Sequence, residues 1–153
     1  MVQKGFTLVE LLVTIAIIAV LSAIILFSIG QYINKSKDAS IQGNLSSLVP
    51  AGEVYYDHNG IYGYSDANSG EGFCASNVVV NADSSIPVTS VGKGCRINNK
   101  DSSICCKATR NAWAACAQEF VNKDKAFCVD SRGYKREIDN SDCDGAETAC
   151  PLN

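Results

Sequence analysis

A strongly apolar segment near the N-terminus carries one acidic residue at its front. The apolar run extends from Phe6 to Ile29, and from Leu11 to Gly30 it contains no charged side chain. Because about 18–20 apolar residues suffice for a helix to cross a bilayer, the run predicts a membrane-spanning helix. A carboxylate inside such a helix is costly unless it finds a partner. We therefore expect Glu10 to serve assembly or recognition.

The residues alone leave other interpretations of this segment open. Glu10 could lie at the interfacial end of the helix and extend its carboxylate to water. The run could also be a secretory signal, since Lys4 supplies a basic start. A cut after Ala23 would then place Leu21 where a small residue is preferred. A plain N-terminal membrane anchor fits the same pattern.

The opening residues, MVQKG followed by FTLVE, closely resemble the prepilin signature of type IV pilins and of the pseudopilins of type II secretion systems. Gly5 ends a short basic leader, Phe6 follows it, and Glu10 has the family's spacing before the uncharged run. The resemblance covers the leader and the first helix. It implies that a prepilin peptidase cleaves between Gly5 and Phe6, that Phe6 is then N-methylated, and that Glu10 acts in assembly.

The assembly role of the acidic residue also has a physical basis. Cleavage would free an α-amine on Phe6, and Glu10 of one subunit could pair with the amine of a neighbour inside the lipid. Neither group is stable alone in hydrocarbon, and a mutual pair removes much of that cost. The pair would also fix the axial register of adjacent helices.

Beyond the apolar run, the pattern predicts that the helix continues. Apolar residues recur at three- and four-residue steps, which is typical of one face of an amphipathic helix. Pro50 is expected to kink the helix or end its regular hydrogen bonding just before that point. The turn signal Asn59-Gly60 predicts a final helical residue between Asp57 and Asn59. The predicted organisation is a leader (1–5), a transmembrane and filament-core helix (6–30), an amphipathic continuation (31–58) and a head (59–153).

The cysteines predict an exported head held by disulfides. All eight lie beyond the predicted helix, at Cys74, Cys95, Cys105, Cys106, Cys116, Cys128, Cys143 and Cys150. No two of them form the close C-x-x-C spacing of a structural zinc site, so no metal is expected. The adjacent Cys105 and Cys106 are expected to have different partners. Two pairings are plausible guesses: Cys143–Cys150 as a short terminal loop and Cys116–Cys128 as a bridge between neighbouring strands.

The head is expected to contain a small antiparallel sheet. Trp113–Gln118 is interpreted as the first of three strands, with Trp113 packing on the helix. A hairpin over residues 127–138, with its turn at residues 131–133, supplies the other two. Residues 65–110 are expected to form a variable loop with one short buried piece at residues 78–80. The predicted fold is α+β, with a long N-terminal helix packed on a disulfide-rich head.

Composition argues against two classes of function. The net charge is −3, and Lys135-Arg136 is the one cluster of basic residues, so a nucleic-acid surface is not expected. The sequence contains a single histidine, His58, and no recognisable nucleophile–base or metal motif. An enzyme is therefore not predicted.

The acidic C-terminal stretch is expected to be solvated and to bind no cofactor. Its carboxylates are Asp139, Asp142, Asp144 and Glu147. Calcium is the alternative, because it takes several oxygen ligands and some major pseudopilins, which this chain resembles, bind it in a C-terminal loop. The spacing here does not match an EF-hand.

The resemblance implies a structural subunit of a type IV pilus or of a type II secretion pseudopilus. Before assembly, such a subunit is anchored in the inner membrane. It then becomes part of a helical filament of identical subunits, which is extracellular or periplasmic. Its implied partners are the prepilin peptidase, an assembly ATPase and a platform membrane protein. The alternative is a minor pilin or membrane-anchored binding module that engages DNA or a surface.

Overall fold

The chain divides into two compact units, Met1–Asn34 and Lys35–Asn153. The computed structural model describes residues 5–64, 72–86, 95–97, 100–145 and 147–151. One helix, α1 (Leu8–Asn59), is 52 residues long and contributes to both units. Its first part is apolar on all sides, which is typical of a helix surrounded by lipid or by other helices. Every large apolar side chain described from Leu8 to Ile25 is more than half exposed.

In the second unit, α1 contributes a buried apolar stripe to the head. Ile41, Leu45 and Leu48 are fully buried and lie in one hydrophobic core, which confirms the predicted amphipathic face. The predicted end of the helix is also confirmed, since α1 ends at Asn59. Pro50 lies inside α1, which continues past it to Asn59. Proline removes one backbone donor, and the packing of neighbouring residues on the head offsets that loss.

Over the residues that the structure describes, the head contains a second helix, two sheets and two short 3₁₀ turns. The helix α2 is Asn77–Ser85, and the 3₁₀ turns are Gly72–Ala75 and Asn140–Asp142. A two-stranded sheet pairs β1 (Arg96–Ile97) with β2 (Lys100–Asp101). The main sheet is antiparallel in the order β3 (Cys105–Ala108), β4 (Trp113–Gln118), β5 (Lys125–Asp130) and β6 (Lys135–Asp139).

The main sheet confirms the predicted strand and hairpin but has one strand more than expected. The expectation of three strands is wrong, because β3 pairs with β4 and places Cys105 opposite Cys116. The expectation of a loop over residues 65–110 is also wrong for the part that the structure describes. There, residues 78–80 belong to α2 and Val79 is buried. Residues 65–71, 87–94 and 98–99 of that segment lie outside the described residues.

The two faces of the main sheet pack against different layers. Successive side chains of a strand point to opposite faces, so Ala115 and Ala117 join the core that α1 covers. Cys116 and Cys128 join a second core on the opposite face. That second core consists of six cysteines with Ala126 and Ile138. Its disulfides take the place of the aliphatic side chains of an ordinary core, and the predicted α+β fold with a disulfide-rich head is confirmed.

Asp38 connects α1 to the turn between β4 and β5 through hydrogen bonds. It is 9% exposed, and its carboxylate accepts the backbone N–H of Phe120 at 2.5 Å and of Val121 at 3.0 Å. Hydrogen bonds to a charged group contribute more than neutral ones, so Asp38→Asn should destabilise the head by about 2 kcal/mol. Denaturant unfolding of the full chain in detergent, followed by Trp113 fluorescence, measures this. The control Asp57→Asn, at an exposed position of α1, should change nothing; equal losses in both variants would contradict the assignment.

Glu119 lies next to Phe120, whose N–H Asp38 accepts, and is 8% exposed. Its burial predicts that the stability of the head depends on pH. Burial raises the pKa of Glu119 above its ordinary value of 4.5, and the negative charges of Glu137 and Asp38 raise it further. The ionised carboxylate therefore costs stability above the folded-state pKa, and the cost vanishes below about pH 4.5, where the group is protonated in both states. Glu119→Gln should be more stable than the parent at pH 7 and indistinguishable from it at pH 4.

Denaturant midpoints of the parent and of Glu119→Gln at the two pH values provide the measurement. Glu147→Gln, at an exposed carboxylate, is the matched control and should show no such difference. An equal gain of Glu119→Gln at both pH values would mean that the buried charge is not the cause.

Candidate functional site

The first turn of α1 contains a reciprocal capping arrangement between Thr7 and Glu10. The backbone N–H of Thr7 donates to Glu10 Oε2 at 2.9 Å, and the Thr7 hydroxyl donates to the same oxygen at 2.7 Å. In return, the backbone N–H of Glu10 donates to Thr7 Oγ1 at 3.3 Å. This is a capping box, which satisfies backbone N–H groups that have no partner inside the helix. Glu10 thus has a local structural task besides the predicted one.

The sequence signal for this cap is T-x-x-E at residues 7–10, and the sequence analysis missed it. Both Thr7 donors contact Oε2 of Glu10. Within the part of the chain that the structure describes, Oε1 receives no hydrogen bond, and the side chain is exposed. The carboxylate can therefore cap its own helix with one oxygen and present the other to a cation outside the chain.

The predicted cleavage pair lies directly before α1. Gly5 and Phe6 precede the first helical residue, and both are exposed, with Phe6 at 76%. A peptidase needs an accessible, non-helical backbone at the bond that it cuts. The location of the Gly5–Phe6 bond meets this requirement, and the α-amine of a new N-terminus would lie within one turn of Glu10.

The helix that follows is long and apolar enough to cross a membrane. Within α1, the most apolar 18-residue window has a mean hydropathy of 2.9, and none of it is buried. Length and composition alone fit a membrane anchor and a secretory signal equally well. The residues before the window therefore decide between these alternatives.

All eight cysteines form disulfides. The bridges are Cys74–Cys106, Cys95–Cys105, Cys116–Cys143 and Cys128–Cys150. The expectation of different partners for Cys105 and Cys106 is confirmed, whereas the guesses Cys116–Cys128 and Cys143–Cys150 are wrong. The residues after β6 bring Cys143 and Cys150 to the sheet face that carries Cys116 and Cys128, so each strand cysteine bonds to this C-terminal segment (residues 140–151).

Buried polar contacts also hold the C-terminal segment. Asp130, which is fully buried, accepts the backbone N–H of Cys150 at 3.0 Å and pairs with the Arg132 guanidinium. Arg132 Nη2 donates to the carbonyl of Cys150 at 3.2 Å, and Arg136 Nη1 donates to that of Pro151 at 3.3 Å. Burial by itself raises the pKa of Asp130, but the bonds from Arg132 and the backbone N–H groups outweigh it and leave this pKa lowered.

The possible metal ligands are three cysteine sulfur atoms that lie near one another and the carboxylates of the acidic C-terminal stretch. The sulfur atoms of Cys105, Cys116 and Cys143 lie within 4.8 Å of one another, but each is in a disulfide and lacks the thiolate that zinc requires. Among the acidic candidates for calcium, Asp139 binds Lys125 at 2.8 Å. The other three line a cavity of about 580 Å³ together with Arg132: Asp142, Asp144 and Glu147.

Comparison with known proteins places the N-terminal region in a defined group. Residues 1–26 match the family described as the prokaryotic N-terminal methylation motif. The Type IV major alpha-pilin of Moraxella bovis is 49% identical over 45 residues, which cover 29% of this chain and 28% of the relative. Fimbrial protein Q of the same organism is also 49% identical over 45 residues, covering 29% of each chain.

A third relative extends the similarity further. Fimbrial protein EcpC of Eikenella corrodens is 35% identical over 86 residues, which cover 53% of this chain and 56% of the relative. The chain thus matches between 28% and 56% of the length of these curated relatives. No solved structure is significantly similar to it. The chain thus matches the N-terminal methylation motif over residues 1–26 and is similar, over part of its length, to a type IV pilin and two fimbrial proteins.

Proposed function

We propose that this chain is the precursor of a structural pilus subunit that polymerises through α1. One observation carries the proposal: the N-terminal methylation motif is joined to an exposed helix that presents the carboxylate of Glu10 in its first turn and is uncharged from Leu11 to Gly30. An uncharged helix of this length is stable in lipid and against copies of itself. Filament assembly transfers this helix from lipid to contact with the helices of other subunits without exposing it to water.

Processing prepares the end of this helix for assembly. Residues 1–5 form the leader, the prepilin peptidase cuts between Gly5 and Phe6, and the amine of Phe6 is methylated. Oε2 of Glu10 stays in the cap with Thr7, and Oε1 meets the methylated amine of a neighbouring subunit. The pair neutralises two charges that would each be costly in a dry filament core. It also sets the axial step between subunits.

The remaining segments have separate tasks. Residues 6–30 anchor the precursor in the inner membrane and later line the filament core, residues 31–58 carry the head, and residues 59–153 form its outer surface. Contacts between successive subunits are head-to-tail and do not close, so they produce a fibre. An assembly ATPase and a platform membrane protein drive the process. The similarity to a major pilin and to a fimbrial protein favours an extracellular pilus over a secretion pseudopilus.

The test is the intact mass and N-terminal residue of the protein extracted from membranes of cells with an active prepilin peptidase, with electron microscopy of the same cells. A methylated Phe6 N-terminus and long surface filaments are expected. A chain that starts at Met1 would reduce the helix to an ordinary anchor, and a cut near Ala23 would mean a secreted head. Short periplasmic filaments would favour the pseudopilus. Cells without the peptidase provide the control and should retain residues 1–5.

A further inference from the structure

Cys116 and Cys128 face each other across the β4–β5 pair but are not bonded to each other. They are direct partners in the strand register, and opposite residues of antiparallel strands have Cα atoms about 4.5–5.5 Å apart. That separation lies within the range of a disulfide. Instead, each bonds to the C-terminal segment, with Cα–Cα distances of 5.8 and 5.9 Å. The native fold therefore holds cysteines of two different bridges opposite each other, at a separation that a disulfide could span.

Chain statistics favour the competing bridge before the head is folded. Cys116 lies 12 residues from Cys128 and 27 residues from its native partner Cys143. Because the contact probability in a flexible chain falls as about the 3/2 power of loop length, Cys116 meets Cys128 about three times as often as Cys143. By the same rule Cys150 meets Cys143, 7 residues away, about five to six times as often as Cys128.

The order of the cysteines along the chain also favours the non-native bridge. The two native bridges interlock, since Cys128 lies between Cys116 and Cys143, and Cys143 lies between Cys128 and Cys150. A chain that enters an oxidising compartment with its N-terminal side first exposes Cys116 and Cys128 before Cys143 and Cys150. Among these four cysteines, the first bridge available is then the non-native one, which leaves Cys143 and Cys150 to pair with each other.

The mispaired form cannot build the second core. It would leave the C-terminal segment without a covalent link to β4 or β5. The buried carboxylate of Asp130 would have to find another donor in place of the Cys150 N–H, which it accepts at 3.0 Å. The native pairs also close longer loops, which stabilises the fold more by restricting the unfolded chain. The native pairing is thus favoured at equilibrium, whereas the first encounters between cysteines of the unfolded chain favour the mispaired form.

We infer that the head reaches its native pairing by catalysed disulfide exchange, and that a thiol–disulfide isomerase is its folding partner. The inference rests on the proposed function only in that the head is exported to a compartment where disulfides form. Its chemical basis is the position of Cys116 opposite Cys128 in the strand register and the interlocked native bridges. The sulfur atoms of Cys105, Cys116 and Cys143 also lie within 4.8 Å of one another, so the native arrangement keeps sulfurs of separate bridges close together.

The exchange balances without an oxidant. The isomerase thiolate attacks Cys116 Sγ, forms a mixed disulfide and releases the Cys128 thiolate. That thiolate attacks Cys150 Sγ in the Cys143–Cys150 bridge, forms Cys128–Cys150 and releases the Cys143 thiolate. The Cys143 thiolate then attacks Cys116 Sγ of the mixed disulfide, forms Cys116–Cys143 and regenerates the isomerase thiolate. Two protein disulfides are present before and after.

The test maps the disulfides of the full chain after oxidation in detergent. The reduced, urea-unfolded chain is diluted into buffer with diamide, a thiol-free oxidant, with or without later addition of a substoichiometric bacterial disulfide isomerase in its reduced form. Trypsin separates the peptides of Cys116 and Cys128 from the tail, and cleavage after Glu147 separates Cys143 from Cys150. Without the isomerase, Cys116–Cys128 should exceed Cys116–Cys143 about threefold. With the isomerase, the Cys116–Cys128 peptide should fall at least about tenfold.

A double variant shows whether competition is the cause. Cys116→Ser with Cys143→Ser removes the nearest competing partners of Cys128 and Cys150, so the isomerase should raise the yield of their bridge less than it does in the parent chain. Predominantly native pairing of the parent chain under diamide alone would overturn the inference. Neither measurement depends on pilus assembly, so a failure of the proposed function would leave this test intact.

Discussion

Replacing Trp113 by alanine should destabilise the head by about 4 kcal/mol, the largest loss expected from any single side chain here. Trp113 is fully buried in the core between α1 and the main sheet. Its ring lies 4.6 Å from that of Phe73, centroid to centroid, and it packs directly over Gly52 of α1. Truncation would remove the contacts that join three elements and leave a cavity that the backbone cannot fill.

The measurement is denaturant unfolding of the full chain in detergent, followed by circular dichroism because the variant has no tryptophan. Trp113→Phe is the informative second variant. The Nε1 atom of Trp113 is buried and has no hydrogen-bond partner among the described residues. Phenylalanine therefore removes an unsatisfied donor along with part of the volume and should cost less than half as much. Tyr64→Ala, at a side chain that is 70% exposed, should change stability by less than about 0.5 kcal/mol. A loss below about 1 kcal/mol in Trp113→Ala would contradict the central position of this side chain.

Gly52 shows why a propensity argument can mislead. From sequence, a glycine inside a helix only lowers its stability. In the structure, a Cβ atom at Gly52 would lie 2.6 Å from Trp113 Nε1, closer than real contacts allow. The glycine permits the indole to lie against the helix backbone, so the local loss in α1 is offset by packing in the head.

The sequence pattern predicted α1 and the hairpin of β5 and β6, which show regular patterns of their own. α1 has an uninterrupted apolar run followed by a regular stripe, and the stripe residues that belong to the head, such as Leu45, are fully buried. The hairpin of β5 and β6 was predicted from strand-forming residues around a glycine turn. β3 was not, because its four residues, CCKA, give no alternating pattern of their own. It exists because it pairs with β4.

The elements that sequence reasoning missed depend on contacts between distant residues. Asp83, in the last turn of α2, accepts the N–H groups of Ser103 and Ile104 at 2.7 and 2.9 Å. These bonds tie α2 to the start of β3, and the sequence around Asp83 gives no sign of them. Disulfide pairing was missed for a related reason. The nearest cysteine in the chain is the natural guess, whereas the path of the C-terminal segment decides the actual partner.

The N-terminal site was predicted only in part. The sequence analysis expected Glu10 to pair with a neighbouring subunit, and that expectation stays a prediction. The capping box with Thr7 is a local pattern that needs no tertiary information, and it was overlooked because the membrane environment dominated the interpretation. Pairing with a neighbouring subunit requires the negative charge of Glu10, whereas capping requires only an acceptor oxygen. This difference can be tested.

Glu10→Gln should abolish filament assembly while leaving the start of α1 intact. A glutamine oxygen can still accept the N–H of Thr7, since glutamine serves in a capping box as glutamate does. Being neutral, it cannot compensate the charge of a neighbour's α-amine, which would then remain unpaired in a dry environment. Breaking a buried ion pair costs about 3–5 kcal/mol, so the assembled fraction per subunit contact should fall by more than about a hundredfold.

The measurement compares sheared filaments with total cellular subunit by immunoblot, together with the N-terminal mass of the membrane-bound pool. Thr7→Val is the matched variant: it removes the hydroxyl from the cap and keeps the charge of Glu10. Loss of one capping partner costs about 1 kcal/mol, so this variant should still assemble, at a reduced level. If Glu10→Gln assembles as the parent does and Thr7→Val does not, the carboxylate acts by capping its own helix, and the charge pair between subunits is not what holds the filament in register.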